Sequence, residues 1–402
     1  MKKPALFILA AAALVSGIFA AATAGAASKI IRIAAVGDIM LGSEASADAF
    51  AEVKPFLAGR QVIMGNLEGP LTDRGGPTKA FIPGISYFFR TMPEMVDRLS
   101  SAGFTVMNLA NNHVNDYGPP GARQTREVLK EAGILYTGAP GEVARQKVGK
   151  TFISVIGLAP NKGCQHINDI PAAAELVRRE AAKPNTLVIV TFHGGAEGNI
   201  HVPYGQERYL GENRGDLRRL GRAMIDVGAH LVVGHGPHVP RGLEIYKDRL
   251  IAYSLGNFAT GRGIGVSGQR GLAPLLLVDL TLKGKLAGGK IISFKQERHG
   301  RPGLDQNHEA MKLMHTLSLL DFDRPGLDPK GKIITTDSAA RTLAASQPKP
   351  PRPQAAKAAR SPKPEPAEAA RASAEEAKAD KKRGKAEEAA LPYRYKWELD
   401  YR

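Results

Sequence analysis

A chain of 402 residues with 55 Lys and Arg against 39 Asp and Glu carries a formal net charge of +16: long enough for a large core, and basic enough to favour anionic neighbours. The basic residues are scattered and no nucleic-acid-binding motif accompanies them, so nucleic acid is not expected as a partner. Cys164 is the only cysteine, which excludes an intramolecular disulfide, and without an identifiable poised partner it reads as incidental.

At the N-terminus, Lys2 and Lys3 precede an apolar run from Ala5 to Ala22, followed by small residues at 24–27. This is the pattern of a secretory signal peptide, and the run is also just long enough to stay in a bilayer as an anchor. Cleavage is the favoured reading, because an alanine-rich span is weakly hydrophobic. Residues 1–27 are therefore set apart from the fold. The protein is expected to be exported, periplasmic or extracellular, or held at the membrane by this segment.

Residues 28–344 read as one domain. Short runs rich in Val and Ile recur at Ile31–Val36, Val62–Met64, Thr105–Leu109, Phe152–Leu158, Leu187–Thr191, His230–Val233, Leu250–Tyr253, Leu275–Leu280 and Lys290–Phe294, and are expected to be buried strands. Amphipathic stretches at Met92–Ala102, Ala122–Ala132, Pro171–Ala182 and Gly215–Val227 separate many of them. This alternation predicts an α/β fold of βαβ units with a parallel-rich sheet. The loss of helices late in the chain predicts a second, more antiparallel sheet. Residues 345–390 are Pro, Ala, Lys and Glu with almost no large apolar side chain, the composition of a disordered linker. Residues 391–402 form an aromatic and basic tip with Trp397. The tip reads equally as a docking peptide for a membrane or envelope-protein partner and as a segment packed back on the domain.

The chemistry-bearing residues fall at the ends of the predicted strands. They occur as Gly37-Asp38, Asn66-Leu-Glu68, Asn111-Asn112-His113 with Asp116 and Tyr117, His193-Gly-Gly-Ala-Glu197, His235-Gly-Pro-His238, and Gly256-Asn257. Carboxyl ends of parallel strands share one rim, where ligands bind, so these distant residues are expected to converge. Carboxylates, an amide oxygen and imidazoles form a mixed oxygen and nitrogen donor set, suited to Mn, Zn or Fe rather than to Ca or Mg alone. Two divalent ions are expected: Asp38 and His238 on the first, Asn112, His193 and His235 on the second, and Glu68 bridging them. His113 would stand beside the metals and protonate a leaving group. Asp116 and Tyr117 would fix its loop, while Asn66, Glu197 and Asn257 would support the ligands or touch substrate. Any one of these motifs alone is more often a turn or a structural histidine; their recurrence at successive strand ends carries the reading.

Gly37-Asp38-x-Met-Leu, Asn66-Leu-Glu68-Gly-Pro-Leu-Thr, Ala110-Asn-Asn112-His113-x-x-Asp116-Tyr-Gly, His193-x-Gly-x-Glu197, Gly234-His235-x-Pro-His238-Val and Tyr253-Ser-Leu-Gly-Asn257-Phe together resemble the CapA (PgsA-like) capsule-synthesis family of poly-γ-glutamate capsules, over about residues 30–260. That family resembles calcineurin-like metallophosphatases, which implies a four-layer α/β/β/α sandwich with a dimetal site. This chain departs from the family twice. The stretch His193–Gly198 lacks its usual aromatic residues, and Gly236 replaces the middle histidine of the last motif. The segment Gly198–Gly215, with His201, Tyr204, Glu207 and Arg208, is a candidate specificity loop. Two functions compete. One is a metal-dependent hydrolase of an anionic envelope polymer, cutting an amide or a phosphoester bond. The other is a non-catalytic accessory that binds polymer or a membrane partner during capsule assembly.

Overall fold

The computed structural model describes residues 30–42, 49–79, 87–261, 265–296 and 300–335. The expected signal segment 1–27, linker 345–390 and tip 391–402 lie outside the described residues.

The chain starts with strand β1 (Ile30–Met40), a single helical turn α1 (Lys54–Leu57) and β2 (Val62–Leu67). Helix α2 (Val96–Ala102), stopped by left-handed Gly103, leads to β3 (Val106–Asn108). Helix α3 (Gly118–Glu131) leads to β4 (Leu135–Thr137), and a hairpin of β5 (Val143–Val148) and β6 (Thr151–Leu158) follows. Helix α4 (Ile170–Ala181) begins at Asp169, whose carboxylate accepts the Ala172 N–H at 3.0 Å, and precedes β7 (Thr186–His193). A small hairpin, β8 (Glu207–Tyr209) and β9 (Glu212–Gly215), runs into α5 (Leu217–Asp226), capped by Asp216, and then β10 (Leu231–His235). The remaining elements are β11 (Leu243–Tyr246), β12 (Arg249–Ala252), β13 (Asn257–Thr260), β14 (Leu272–Thr281), β15 (Leu286–Gln296), β16 (Pro302–Leu304) and α6 (Glu309–Asp321).

These strands make two large sheets. The first runs β16-β15-β14-β1-β2-β3-β4, with β13 paired to the end of β1. The second runs β11-β12-β10-β7-β6-β5. One core lies between the sheets, where Ile31, Ile33, Val62, Met64 and Val106 meet Ile153, Val155, Leu187, Ile189, Leu231 and Val233. A second core packs α1, α2 and α3 on the outer face of the first sheet. A third packs α4 and α5 on the outer face of the second. The result is the four-layer α/β/β/α sandwich. Among the described residues no helix is long and apolar enough to cross a membrane.

One expectation is corrected. The late antiparallel strands do not build the second sheet: β14, β15 and β16 extend the first. Residues Ile30–Ala35 of β1 leave one edge free after pairing with β2, and β14 takes that edge antiparallel. The second sheet is parallel through β12, β10, β7 and β6, with antiparallel strands only at its edges.

Strand periodicity decides what faces the space between the sheets. Alternate residues of a strand share a face. In β7, Leu187 and Ile189 lie in the inter-sheet core, so Thr191 and His193 continue that face; in β10, Leu231 and Val233 do, and His235 follows. His193 and His235 are paired in register across the two strands. In β2, Val62 and Met64 are succeeded by Asn66 and, two residues on, Glu68. In β1 the register shifts between Ala35 and Asp38, and Gly37 is required there: a Cβ would sit 1.9 Å from the Gly256 carbonyl oxygen. The inter-sheet face therefore changes from apolar to polar at the carboxyl ends of several strands at once.

His230, just before β10, gives a test of this packing. Its Nδ1 accepts the Val188 N–H at 3.0 Å, which requires that nitrogen to be unprotonated. Burial, then the Arg249 charge, push its pKa down to about 4. The unfolded chain binds this proton near pH 6.5, so the stabilisation is complete above that pH and lost as pH falls towards 4. Wild-type protein should lose up to ~3 kcal/mol more than His230→Asn across that window, read from denaturant melts at each pH. Parallel stability curves would contradict the assignment.

Candidate metal centre

Asp38, Glu68 and His193 each place a ligand atom within 4.8 Å of the others, and all three are fully buried. Around them stand the other histidines. His235 Nδ1 lies 3.4 Å from Asp38 Oδ1. His238 Nδ1 lies 3.1 Å from Asp38 Oδ2 and 3.0 Å from Asn257 Oδ1. Both are acceptors, so Nδ1 carries the proton and Nε2 is turned to Glu68 Oε1 at 3.7 Å and Glu197 Oε1 at 3.9 Å. His238 holds a left-handed backbone, φ +58°, unfavourable for a side chain with a Cβ, and these contacts keep it there. His113 Nε2 and His193 Nε2 approach Glu68 Oε1 at 3.9 and 3.7 Å.

A lattice of amides supports the carboxylates. Asn66 Nδ2 donates to Asp38 Oδ1 at 2.8 Å and faces His193 Nδ1 at 3.2 Å. Asn66 Oδ1 accepts from Asn108 and Asn111, which fixes which way its amide points. Asn111 also donates to the Leu67 carbonyl and accepts the His113 N–H, tying the Asn112-His113 loop to the strand end that carries Glu68. Asp116 Oδ2 accepts from His113 Nδ1 at 2.7 Å and from the Phe89 N–H, and Lys79 Nζ holds its other oxygen at 2.8 Å.

Among the described residues, several buried donor atoms have no hydrogen-bond partner: both Glu68 carboxylate oxygens, both His235 ring nitrogens and Asn112 Oδ1. Leaving such atoms unsatisfied in an interior is costly, and several together in one place are the mark of ligands for a cation. The electrostatics agree. Burial raises the Glu68 pKa well above the usual carboxylate range. Burial acts the same way on Asp38, but its contacts with His235 and His238 prevail and hold it far below that range. Burial opposes charge on His238 too, yet Glu68 and Asp38 raise it to about 10. Burial and then the Arg214 charge push His193 well below its ordinary value. Burial also lowers His113, against the pull of Asp116. The carboxylates thus draw a positive charge into the centre, and a proton on His238 meets part of that demand.

Asp38, Glu68, Asn66, His113, Asp116, His193, Glu197, His235, His238 and Asn257, all singled out from the sequence, are joined here by the contacts above; Asn112 is tied to them through its neighbours Asn111 and His113. They come from both sheets rather than from one rim. Tyr117 is buried under the Arg90 guanidinium, 3.8 Å from its ring centre. Cys164 is buried with its Sγ 3.9 Å from the Asn111 carbonyl, and burial raises its pKa to about 11. In the candidate specificity loop, His201 pairs with Asp321 at 2.9 Å and exposed Tyr204 lies against Arg218. Glu207 forms a two-pronged pair with fully buried Arg241 at 2.8 and 2.9 Å. The residue of this segment that enters the centre is Arg214, 1% exposed, whose Nη2 lies 3.3 Å from His193 Nε2. Sequence reading gave no role to Asn108 and missed Arg214. Asn108 was accessible from the strand period; an arginine in a short polar hairpin offers no such signal. Gly236 has φ +111°, and a Cβ there would lie 2.6 Å from the Gly194 carbonyl oxygen, so this backbone has no room for the histidine the family pattern carries.

Glu207 also accepts the Ala196 N–H, so it locks the loop after His193 as well as Arg241. Glu207→Ala would strand a buried guanidinium and should cost about 3–5 kcal/mol in urea unfolding. A loss below about 1 kcal/mol would mean that the pair does not hold the loop.

Residues 32–262 match the family described as "Bacterial capsule synthesis protein PGA_cap". The chain is 31% identical over 258 residues to "Capsule biosynthesis protein CapA" of Bacillus anthracis, covering 57% of this chain and 59% of that one. It is 33% identical over 254 residues to "PGA biosynthesis protein CapA" of Bacillus subtilis (strain 168), covering 57% and 63%. The chain thus spans about three fifths of the length of these curated relatives. Among solved structures, a novel phosphatase from Mycoplasma pneumoniae aligns at 12% identity with a TM-score of 0.45, over 69% of this chain and 96% of that one. With more than half of its length matched, this chain belongs to the bacterial capsule synthesis protein PGA_cap family.

Proposed function

We propose that this protein is a metal-dependent hydrolase of the cell envelope that acts on an anionic polymer, poly-γ-glutamate or a chemically similar chain, during capsule formation. The observation that carries the reading is the set of buried, unpartnered ligand atoms on Glu68 and His235 beside Asp38. Family membership supplies the capsule context, and the net charge of +16 suits an acidic substrate. Export, to the periplasm or the cell exterior, belongs to the same proposal and rests on the N-terminal pattern and the capsule role of the relatives. The aromatic tip is proposed as the contact to an envelope partner on composition alone.

Asp38, Glu68, Asn112, His193, His235 and His238 supply the oxygen and nitrogen donors for divalent metal, of the Mn, Zn or Fe kind. A bound ion of this class lowers the pKa of water and polarises the bond under attack. His113 handles the proton. Asp116 can only accept, so His113 Nδ1 keeps its hydrogen and Nε2 points into the centre. An anionic substrate beside Nε2 favours the imidazolium, which then donates that proton to the leaving group. Lys79 and the Phe89 N–H hold Asp116 and keep the ring aligned.

A second reading, a non-catalytic polymer-binding accessory, is favoured by one observation: N–H groups of Asn66 and Arg214 face the two His193 nitrogens, and one of them meets the single lone pair that a neutral imidazole offers. One experiment separates the two. Metal-stripped protein is given Mn or Zn and assayed on γ-glutamyl peptides and on generic phosphodiesters. Turnover that depends on added metal supports the hydrolase; tight polymer binding without turnover on either substrate supports the accessory.

A further inference from the structure

We infer that Arg214 is a resident cation of the metal centre: it occupies the approach to His193, so the centre holds one tightly bound divalent ion rather than two. The inference rests on the metal-site reading above and concerns how many ions that site admits.

The guanidinium is built in from several sides. Its Nε donates to the Gly195 carbonyl at 3.1 Å, Nη1 donates to Glu212 Oε2 at 3.0 Å, and Nη2 lies 3.4 Å from the Gly236 carbonyl. With those anchors set, Nη2 comes to 3.3 Å from His193 Nε2 and 3.9 Å from Glu197 Oε1. The other nitrogen of His193 faces the Asn66 amide, which Asp38, Asn108 and Asn111 hold in place. An ion that binds His193 must displace one of these two groups. The donor atoms without hydrogen-bond partners are on Glu68, His235 and Asn112, not on His193.

Charge points the same way. The carboxylates around the cluster are Asp38, Glu68 and Glu197, because Asp116 is paired with Lys79 and Glu212 is the exposed anchor of Arg214 itself. Arg214 adds a fixed positive charge at the edge of this group, only part of which Glu212 answers. A second divalent ion would put two more positive charges beside a guanidinium that cannot lose its proton, in an interior where repulsion is weakly screened. Backbone geometry contributes to the arrangement. Gly236 carries no side chain, and its carbonyl takes part of the guanidinium.

The test is metal stoichiometry, read without any activity assay. Purified full-length protein is stripped, equilibrated with Mn(II), dialysed and analysed for bound metal, and its electron paramagnetic resonance spectrum is recorded. Wild-type protein should retain one ion per chain with the spectrum of an isolated ion. Arg214→Gln should admit a second ion and show the exchange-coupled spectrum of a pair. Two ions in the wild-type protein, or a coupled spectrum, would overturn the inference while leaving the metal-site reading intact. No bound ion would remove both. An Arg214→Gln protein that folds and still holds one ion would also overturn it. If that variant does not fold, Glu212→Gln, which frees Nη1 at the exposed end of the hairpin, should raise second-ion binding at least tenfold; unchanged binding would count against the inference.

Discussion

Glu68→Gln should weaken divalent-metal binding by about 100-fold or more and at the same time stabilise the metal-free protein. The two effects share one cause. Glu68 is fully buried, neither of its oxygens finds a hydrogen bond among the described residues, and burial drives its pKa far upward. A carboxylate in that position is a cost to the apo fold that a cation repays. Glutamine keeps the volume and removes the charge, so the melting temperature of the stripped variant should rise. The wild-type protein should gain stability when metal is added, by about 2.7 kcal/mol at a hundredfold excess over the dissociation constant, and the variant should gain almost nothing. Calorimetric titration and thermal melts with and without Mn measure both halves. A variant that loses apo stability and keeps its metal response would show that Glu68 is a structural acid.

His113→Ala should lower turnover by about 10²- to 10⁴-fold while metal content stays at the wild-type level. The ring contributes no contact to Asp38; its Nδ1 is spent on Asp116, and only Nε2 faces Glu68, at 3.9 Å. Removing it takes away a proton donor and leaves the donor atoms of the centre in place. Asp116→Asn should cost less, because the ring remains and the amide oxygen can still accept from its Nδ1, while the carboxylate charge and its pairing with Lys79 are lost. Metal analysis alongside steady-state kinetics on a γ-glutamyl peptide or phosphodiester checks both variants. Equal loss of metal and activity in His113→Ala would make this histidine a ligand instead.

How far the sequence reveals this centre follows from strand geometry. Glu68, His193 and His235 sit where an apolar strand face turns polar, and a period of two reads that change directly; Asp38 joins them only through the register shift in β1, which the period does not show. The same logic gives the buried strands, whose two faces are both covered and whose sequences are accordingly apolar throughout. It fails where position depends on pairing rather than pattern. Short strands such as β11 and β13 carry too few residues to show a period. The placement of β14 on β1 depends on which edge is left open. Arg214 is the clearest case. Its role comes from a hairpin that folds over the end of β7, and no local spacing announces that. Glu207, singled out as a possible specificity residue, turns inward to Arg241 because an arginine from a distant loop is buried beside it.

The space bounded by Asp38, Glu68 and His235 should take a divalent cation. Crystals soaked in Mn(II) and measured at the manganese absorption edge address it directly. An anomalous peak is expected within coordination distance of Glu68 and its neighbours. Peaks confined to surface carboxylates, with Glu68 and His235 still unliganded, would contradict it.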